Sequence, residues 1–350
     1  MSDKINLGME VYDFHSGLIT ENFPLNSLKG NLMISGEGRS ERTALLSHIL
    51  NQFYARHPDI GVLLIQLGSN EDTYLYHLDK VFEYGDPELN IPYFTGKWFT
   101  DRMSERFKNY LNAIFGFRYE TKWVIANLTL PYVNLSLPSS IIDFLESLKR
   151  YLISLPYYEV FIDIKVESFE RAIEIFQEDP VLESTVMLPL KGGLEWLDLW
   201  SKGKKICVDL TKCGIYQQKL LVTLITQSIL NYIDHNNSDS PIGIVVIEDA
   251  DNIMEKPPYE EYRKKHESNM EYIRNIKEES SVLTREKIEE VYEDENYLMN
   301  VQLEEIYRRL IGSEFRDRNI SLITVFENLS NIYNCVRNFT QIQLQVDEVK

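Results

Sequence analysis

The chain has 350 residues, of which 44% are hydrophobic and 26% are charged, a composition typical of a globular protein with one or two domains. Its net charge of -18 argues against nonspecific binding of nucleic acid over the outer surface, but allows a local basic lining inside a ring. The longest apolar runs are strand-length and no secretory signal is visible, so we expect no membrane association. The three cysteines form no CxxC pair, which favours a reducing cytoplasm.

Short apolar strands alternate along the chain with helices. The predicted strands are Asn31–Ser35, Ile60–Leu67, Ile91–Phe94, Ile206–Leu210, Ile242–Ile247, Ile320–Val325 and Gln341–Val346. The predicted helices between them are Thr43–Tyr54, residues 71–82 and Gln217–Ile233. Strands that alternate with long helices imply an α/β fold, with a mainly parallel sheet covered by helices on both faces.

Two stretches interrupt this alternation and define the predicted domains. We expect an α/β core at residues 1–97 and 200–350, and a mostly helical insertion or subdomain at residues 98–199. A second, charged helical insertion is predicted within the core at residues 255–312. Two interpretations of this charged insertion stay open: a solvated helix held by ion pairs between residues four apart, or an element that docks a partner or forms a lid.

The segment Gly36–Thr43 is a candidate phosphate-binding loop, because it follows a strand and opens a helix. In the motif GxxxxGK[ST], backbone N–H groups wrap the phosphates, the lysine meets the outer phosphates, and the hydroxyl binds Mg²⁺. Gly36 and Thr43 match this motif, whereas Glu41 replaces the second glycine and Arg42 replaces the lysine. Glu41 would repel a triphosphate, and the forked guanidinium of Arg42 is not a simple substitute for lysine.

The candidate nucleotide-binding residues are therefore Gly36, Gly38, Arg42 and Thr43. An ordinary turn between a strand and a helix is the alternative interpretation of this segment.

The strand Ile242–Ile247 ends in two acidic residues, Glu248 and Asp249. In a Walker B strand the first acid holds the water shell of Mg²⁺, and a second acid often polarises the attacking water. Thr43 and Glu248 are the candidate metal ligands, and Glu248 and Asp249 are candidate catalytic residues. The usual order is Asp-Glu, and shortening the second acid moves its carboxylate by roughly 1 Å, which can cost on the order of 10²-fold in rate. A strand end that is acidic without a function is the alternative.

Together these segments resemble the ATPase core of the HerA/FtsK superfamily of ring-forming motors. The similarity lies in the order of segments along nearly the whole chain: Asn6–Gly8, Leu28–Ser35, Ile60–Ile65, Lys204–Leu210, Ile247–Asp251, Arg316–Ile323 and Val336–Val346. The resemblance implies a RecA-like P-loop NTPase core with ATP and Mg²⁺ as cofactors. It implies that Arg316 or Arg318 acts as an arginine finger on a neighbour's nucleotide; capping of a helix end by these arginines is equally open.

The resemblance also implies an oligomer, such as a hexameric ring, that acts on duplex DNA in repair or antiviral defence beside a nuclease or an active motor. Several positions depart from the family. Phe326-Glu327 stands where the family has a Thr-Gln pair that senses the γ-phosphate, and Gln341 stands where it has an arginine.

With Glu41 and Arg42, these departures favour a degenerate subunit with a structural or regulatory role and weak or no ATP hydrolysis. An active, divergent DNA translocase and an unrelated α/β interaction protein are the alternatives.

Overall fold

The structure is a computed structural model that describes residues 4–13, 18–24, 31–68, 73–92, 140–154, 170, 173–187, 194–236, 243–254, 314–329 and 342–345. The chain divides into two compact units. The first comprises Met1–Ile91, Lys191–Glu255 and Tyr307–Lys350, and the second comprises Pro92–Leu190 and Lys256–Ile306.

The eleven strands among the described residues are β1 (Lys4–Asp13), β2 (Leu18–Pro24), β3 (Leu32–Ser35), β4 (Gly61–Gln66), β5 (Lys80–Glu83), β6 (Ile91–Pro92), β7 (Val186–Met187), β8 (Lys205–Asp209), β9 (Gly243–Glu248), β10 (Ile320–Phe326) and β11 (Ile342–Gln345). The helices are α1 (Arg39–Arg56), α2 (Ile141–Ser154), α3 (Pro180–Thr185), α4 (Glu195–Ser201), α5 (Ile215–Asn236) and α6 (Asp251–Met254). There are 3₁₀ turns at Thr73–Tyr76 and Arg316–Arg318, and residues 173–178 are also helical.

A nine-stranded sheet forms the centre of the first unit, in the order β2-β1-β11-β3-β10-β9-β4-β8-β5. The seven strands from β11 to β5 are parallel, whereas β1 runs antiparallel to both β2 and β11. Every residue of β3, β4, β9 and β10 is buried. Because successive side chains point to opposite faces, this burial means that both faces of the central sheet are covered. The predicted α/β class and mainly parallel sheet are confirmed.

Close packing at the amino ends of β4 and β9 depends on glycine. A Cβ at Gly61 would lie 1.8 Å from the carbonyl oxygen of Trp200, so only glycine lets α4 approach β4 this closely. The indole N–H of the buried Trp200 donates a hydrogen bond of 3.2 Å to the carbonyl of Ile244. This contact fixes α4 against two neighbouring central strands.

The carboxyl ends of the central strands lie along one edge of the sheet. In the parallel register, Gln66 is paired with Glu248 and Phe326 is paired with Ser35. Only three residues separate the end of β3 from the start of helix α1, so the amino end of α1 lies at this same edge. Any site built from α1, β4 and β9 therefore lies at the position where open parallel sheets bind their ligands.

Two sequence predictions about individual elements are wrong. Residues 71–82 do not form one helix, because the 3₁₀ turn Thr73–Tyr76 ends at His77, whose φ is 49°, and β5 follows. Helix α1 begins at Arg39 rather than Thr43. The antiparallel β1–β2 hairpin was not predicted.

In the second unit, α2 begins directly after Ser140, whose hydroxyl accepts a hydrogen bond of 3.1 Å from the N–H of Asp143. Helix α3 begins after Asp179, whose carboxylate accepts from the N–H groups of Val181 and Leu182. The predicted insertion at residues 255–312, and most of the one at 98–199, lie outside the described residues. Within the described ranges, no helix is both long and apolar enough to cross a membrane.

Candidate functional site

The amino end of α1 is preceded by a short turn, Gly36–Gly38. The N–H of Gly36 donates to the carbonyl of Phe326 at 3.3 Å, which ties the turn to β10. Gly38 is the N-cap, and the Glu41 carboxylate folds back so closely that a Cβ at Gly38 would lie 2.1 Å from its Oε2. A negative charge is favourable at a helix amino end. Glu41, in the first turn of α1, thus places a negative charge near the amino end of its own helix.

Arg42, the residue at the lysine position of the P-loop pattern, is only 3% exposed. One guanidinium nitrogen, Nη1, donates to the carbonyl of Gly36 and, at 3.3 Å, to the carbonyl of Glu37. The other, Nη2, donates to Oδ1 of Asp249 at 3.2 Å. Arg42 therefore binds its own loop and the second acid of the β9 end.

Asp249 is held in an unusual backbone conformation between two arginines. Its φ of 55° lies in the left-handed region, which Asp tolerates better than most residues. Its Oδ2 lies 3.1 Å from Nη2 of Arg39, and its Oδ1 lies 3.2 Å from Nη2 of Arg42. A Cβ at Gly68 would lie 1.9 Å from the same oxygen. Gly68, after β4, therefore makes room for the carboxylate.

Glu248 is buried, with 2% exposure, and its neighbours are hydrogen-bond donors. Its Oε1 accepts from the hydroxyl of Thr43 at 2.9 Å and from the hydroxyl of Tyr76 at 2.8 Å. Its Oε2 accepts from Nε2 of Gln66 at 3.3 Å. Burial raises the pKa of Glu248, and the hydrogen bonds from Tyr76 and Thr43 offset part of that rise.

Tyr76 is fully buried beside this acid. Burial and the adjacent Glu248 carboxylate raise the pKa of Tyr76 well above its ordinary value, so its hydroxyl stays protonated and donates. Three separate elements, α1, β4 and the 3₁₀ turn, therefore converge on one carboxylate of β9.

The segment after β10 is bound by α6. The Asp251 carboxylate accepts hydrogen bonds from the N–H groups of Glu327, at 2.8 Å, and Asn328, at 3.1 Å. Burial raises the pKa of Asp251, and these two backbone hydrogen bonds lower it. The backbone N–H groups of Glu327 and Asn328 thus donate to a side chain of the same chain, at the position where the resembled family has its Thr-Gln pair.

Arg318 lies away from the group formed by Thr43, Glu248 and Asp249. It precedes the amino end of β10, whereas Glu248 ends the parallel strand β9. Its Nε and Nη2 donate to the two carboxylate oxygens of Asp234 at 2.7 and 3.2 Å, and its Nη1 donates to the carbonyl of Glu314 at 2.9 Å. Arg316 belongs to the same 3₁₀ turn, but its side chain lies outside the described part of the structure.

As arranged, the charged side chains at the P-loop position contact groups of their own chain. The Glu41 carboxylate lies close to Gly38 at the amino end of α1, where a P-loop receives phosphate, and Arg42 is bonded both to the turn before that end and to Asp249. Thr43 and Glu248 bind each other. Among the described residues, no group of three or more His, Cys, Asp or Glu side chains is placed to hold a metal ion.

Sequence reasoning missed three members of this site: Arg39, Gln66 and Tyr76. Gln66 could have been found, because it and Glu248 are the last residues of two buried strands, and the ends of parallel strands meet. Arg39 could also have been found, because it lies about one helical turn before Arg42 and therefore on the same face of α1. Tyr76 carried no such signal.

Comparison with known proteins gives structural likeness only. No protein-family model matches the sequence, and no curated protein matches it either. VirB4 of Thermoanaerobacter pseudethanolicus superimposes with a TM-score of 0.55 at 10% identity, over 98% of this chain and 84% of VirB4. The plasmid coupling protein TrwB, in complex with ADP and Mg²⁺, gives a TM-score of 0.50 at 7% identity, over 92% of this chain and 72% of TrwB. The chain therefore shares the P-loop NTPase fold of these two proteins, the fold class that the resemblance in segment order predicts.

Proposed function

We propose that this chain is a P-loop-fold subunit with a structural or regulatory role in a complex that acts on DNA, and that it has weak or no ATP hydrolysis. One observation carries the proposal: Arg42, at the position of the P-loop lysine, is buried and bonded to Gly36, Glu37 and Asp249 of its own chain. A residue bound in this way is not available to a phosphate.

The energy of these contacts opposes nucleotide binding. Breaking a buried ion pair costs about 3 kcal/mol. A nucleotide that had to release Arg42 from Asp249 would therefore bind roughly 10²-fold more weakly than it would to a loop without this pair. The Glu41 carboxylate at the amino end of α1 adds repulsion against phosphate. Both effects favour a subunit whose role does not depend on turnover.

The likeness in fold supports the partners in this proposal. TrwB is described as a plasmid coupling protein, and its likeness to this chain supports a role in a DNA-handling assembly. We expect an oligomer, such as a hexameric ring, or a hetero-complex with an active motor or a nuclease. Duplex DNA is the expected substrate of the assembly, in repair or antiviral defence, in the cytoplasm.

An active, divergent translocase is the second candidate, and one contact favours it. The hydroxyl of Thr43 lies 2.9 Å from Oε1 of Glu248, so the two candidate Mg²⁺ ligands remain adjacent. In that candidate, Thr43 and Glu248 would hold Mg²⁺, Asp249 would orient water, and Arg316 or Arg318 would reach a neighbouring subunit's nucleotide.

ATP turnover, with and without duplex DNA, distinguishes the two candidates. The matched control is Glu248→Gln, which keeps the shape of the side chain and removes its charge. We expect the wild-type chain and this variant to release phosphate at the same background rate, because Glu248 already binds Thr43, Tyr76 and Gln66. Turnover that DNA stimulates in the wild type and that Glu248→Gln abolishes would contradict the proposal.

A further inference from the structure

We propose that the Asp249 carboxylate is a built-in anion that binds Arg39 and Arg42 and holds α1 onto the sheet in place of a bound ligand. We call the group of Arg39, Arg42, Asp249 and Gly68 the Asp249 lock. This inference rests on the proposed function. In it, these residues hold α1 in position without a bound nucleotide.

Arg39 and Arg42 contact the Asp249 carboxylate as two arginines would contact a bound anion. Arg39 and Arg42 are three residues apart on α1, so their side chains leave the same face of the helix. Arg42 donates a hydrogen bond of 3.2 Å to Oδ1 of the carboxylate, and Arg39 forms an ion pair with Oδ2 at 3.1 Å. One internal acid thereby pairs with both guanidinium groups and offsets one of their two positive charges.

The backbone around Asp249 is shaped for this contact. A left-handed φ of 55° turns the chain directly after β9, which directs the residue toward α1. Gly68 follows β4 on the neighbouring strand, and a side chain there would overlap the carboxylate. Two independent local features, a rare conformation and a glycine, thus place the carboxylate between the arginines.

A second set of contacts, the hydrogen bonds to Glu248, also holds the start of α1 against the sheet. Thr43, one residue after Arg42, donates to Glu248, and Tyr76 and Gln66 donate to the same buried carboxylate. The start of α1 is therefore joined to the end of β9 through two consecutive acids. We expect α1 to keep this position at any nucleotide concentration.

A double-mutant cycle tests the lock, with the equilibrium constant for urea unfolding of the full chain as the measured quantity. The variants are Arg42→Ala, Asp249→Asn and the double substitution. We expect each single substitution to raise the unfolding constant by about 10-fold to 100-fold, and the second to add much less once the first is present. Arg39→Ala, at a side chain that is 34% exposed, replaces Arg42→Ala if that variant does not fold.

The control cycle uses the exposed pair Lys212 and Glu83, whose charged atoms are closer, at 2.5 Å, but whose side chains are 62% and 56% exposed. We expect no measurable coupling there. The proposal would be overturned if Arg42→Ala and Asp249→Asn changed the unfolding constant independently, so that the double variant showed the product of the two single effects, as in the control. This outcome does not depend on ATP turnover, so the lock and the proposed function can fail separately.

Inorganic pyrophosphate tests whether Asp249 stands in for an anion. Asp249→Asn leaves the two arginines without their carboxylate, so we expect pyrophosphate to raise the melting temperature of this variant and to leave the wild type unchanged. A shift of equal size in both proteins, or none in either, would mean that Asp249 holds no anion position, and the proposal would be rejected.

Discussion

The Tyr76 hydroxyl donates a hydrogen bond of 2.8 Å to Oε1 of Glu248, although the two residues are 172 positions apart. The same oxygen accepts from Thr43, so one buried carboxylate oxygen joins α1, β9 and the 3₁₀ turn before β5. Because all three groups are buried, loss of one donor is not compensated by water. The contact therefore contributes to stability, and this contribution can be measured.

Tyr76→Phe removes this donor and keeps the ring. We expect the free energy of unfolding to fall by about 2 kcal/mol, measured by urea denaturation, because a hydrogen bond to a buried charged acceptor is lost. Tyr54→Phe is the matched control, since the hydroxyl of Tyr54 is buried without a hydrogen-bond partner among the described residues. That control should be neutral or stabilising, and equal losses in both variants would argue against a specific role for Tyr76.

Gly68→Ala introduces a methyl group 1.9 Å from Oδ2 and 2.6 Å from Cγ of Asp249. Asp249 is short and is ion-paired with Arg39 and Arg42, so it must leave these arginines, and we expect a loss of about 3 kcal/mol in unfolding free energy. Gly38→Ala serves for comparison, because its methyl group meets the flexible end of Glu41, which can move. A loss below about 1 kcal/mol is expected there. Equal effects at the two glycines would show that the position of Asp249 is not fixed.

Glu248→Gln is expected to change the pH dependence of stability. Burial raises the pKa of Glu248 in the folded chain above its ordinary value of 4.5. The folded state therefore holds this proton more tightly, so the stabilising effect is complete below pH 4.5 and is lost as pH rises through the folded pKa. The variant lacks this titration. As pH rises, its free energy of unfolding should therefore increase relative to that of the wild type. A difference that moves the opposite way would contradict the assigned cause.

Arg318→Ala tests whether this arginine is held within its own chain. It removes a guanidinium that is bonded to both oxygens of Asp234 and leaves that carboxylate half-buried. We expect the free energy of unfolding to fall by about 2 kcal/mol. Arg318→Lys should recover only part of the loss, because lysine cannot form two parallel hydrogen bonds. Unchanged stability in both variants would instead favour a role of Arg318 toward a neighbouring subunit.

The sheet could be predicted from sequence because parallel strands covered on both faces are continuous apolar runs. The segments at β4 and β9 are of this kind, and each is fully buried. The edge strand β5 has only Phe82 buried, so its apolar signal was too weak to separate it from the turn before it. The left-handed His77, which ends that turn, has no marker in the sequence.

The site was only partly predictable. Thr43 and Glu248 were selected as a pair from motif positions, and they are in contact, but their role as metal ligands stays a prediction. The motif comparison indicated that Glu41 and Arg42 were unfavourable for phosphate, yet it could not show where their side chains go. Arg42 meets Asp249 across 207 positions, a contact that only the tertiary structure brings about.

ATP binding, measured by calorimetry with Mg²⁺ on the wild-type chain and on Arg42→Ala, tests the central claim most directly. We expect no saturable heat at millimolar ATP in either protein, because Arg42 is bonded to Asp249 and Glu41 lies at the amino end of α1. Saturable binding by the wild type that disappears in Arg42→Ala would contradict the account and favour the active translocase.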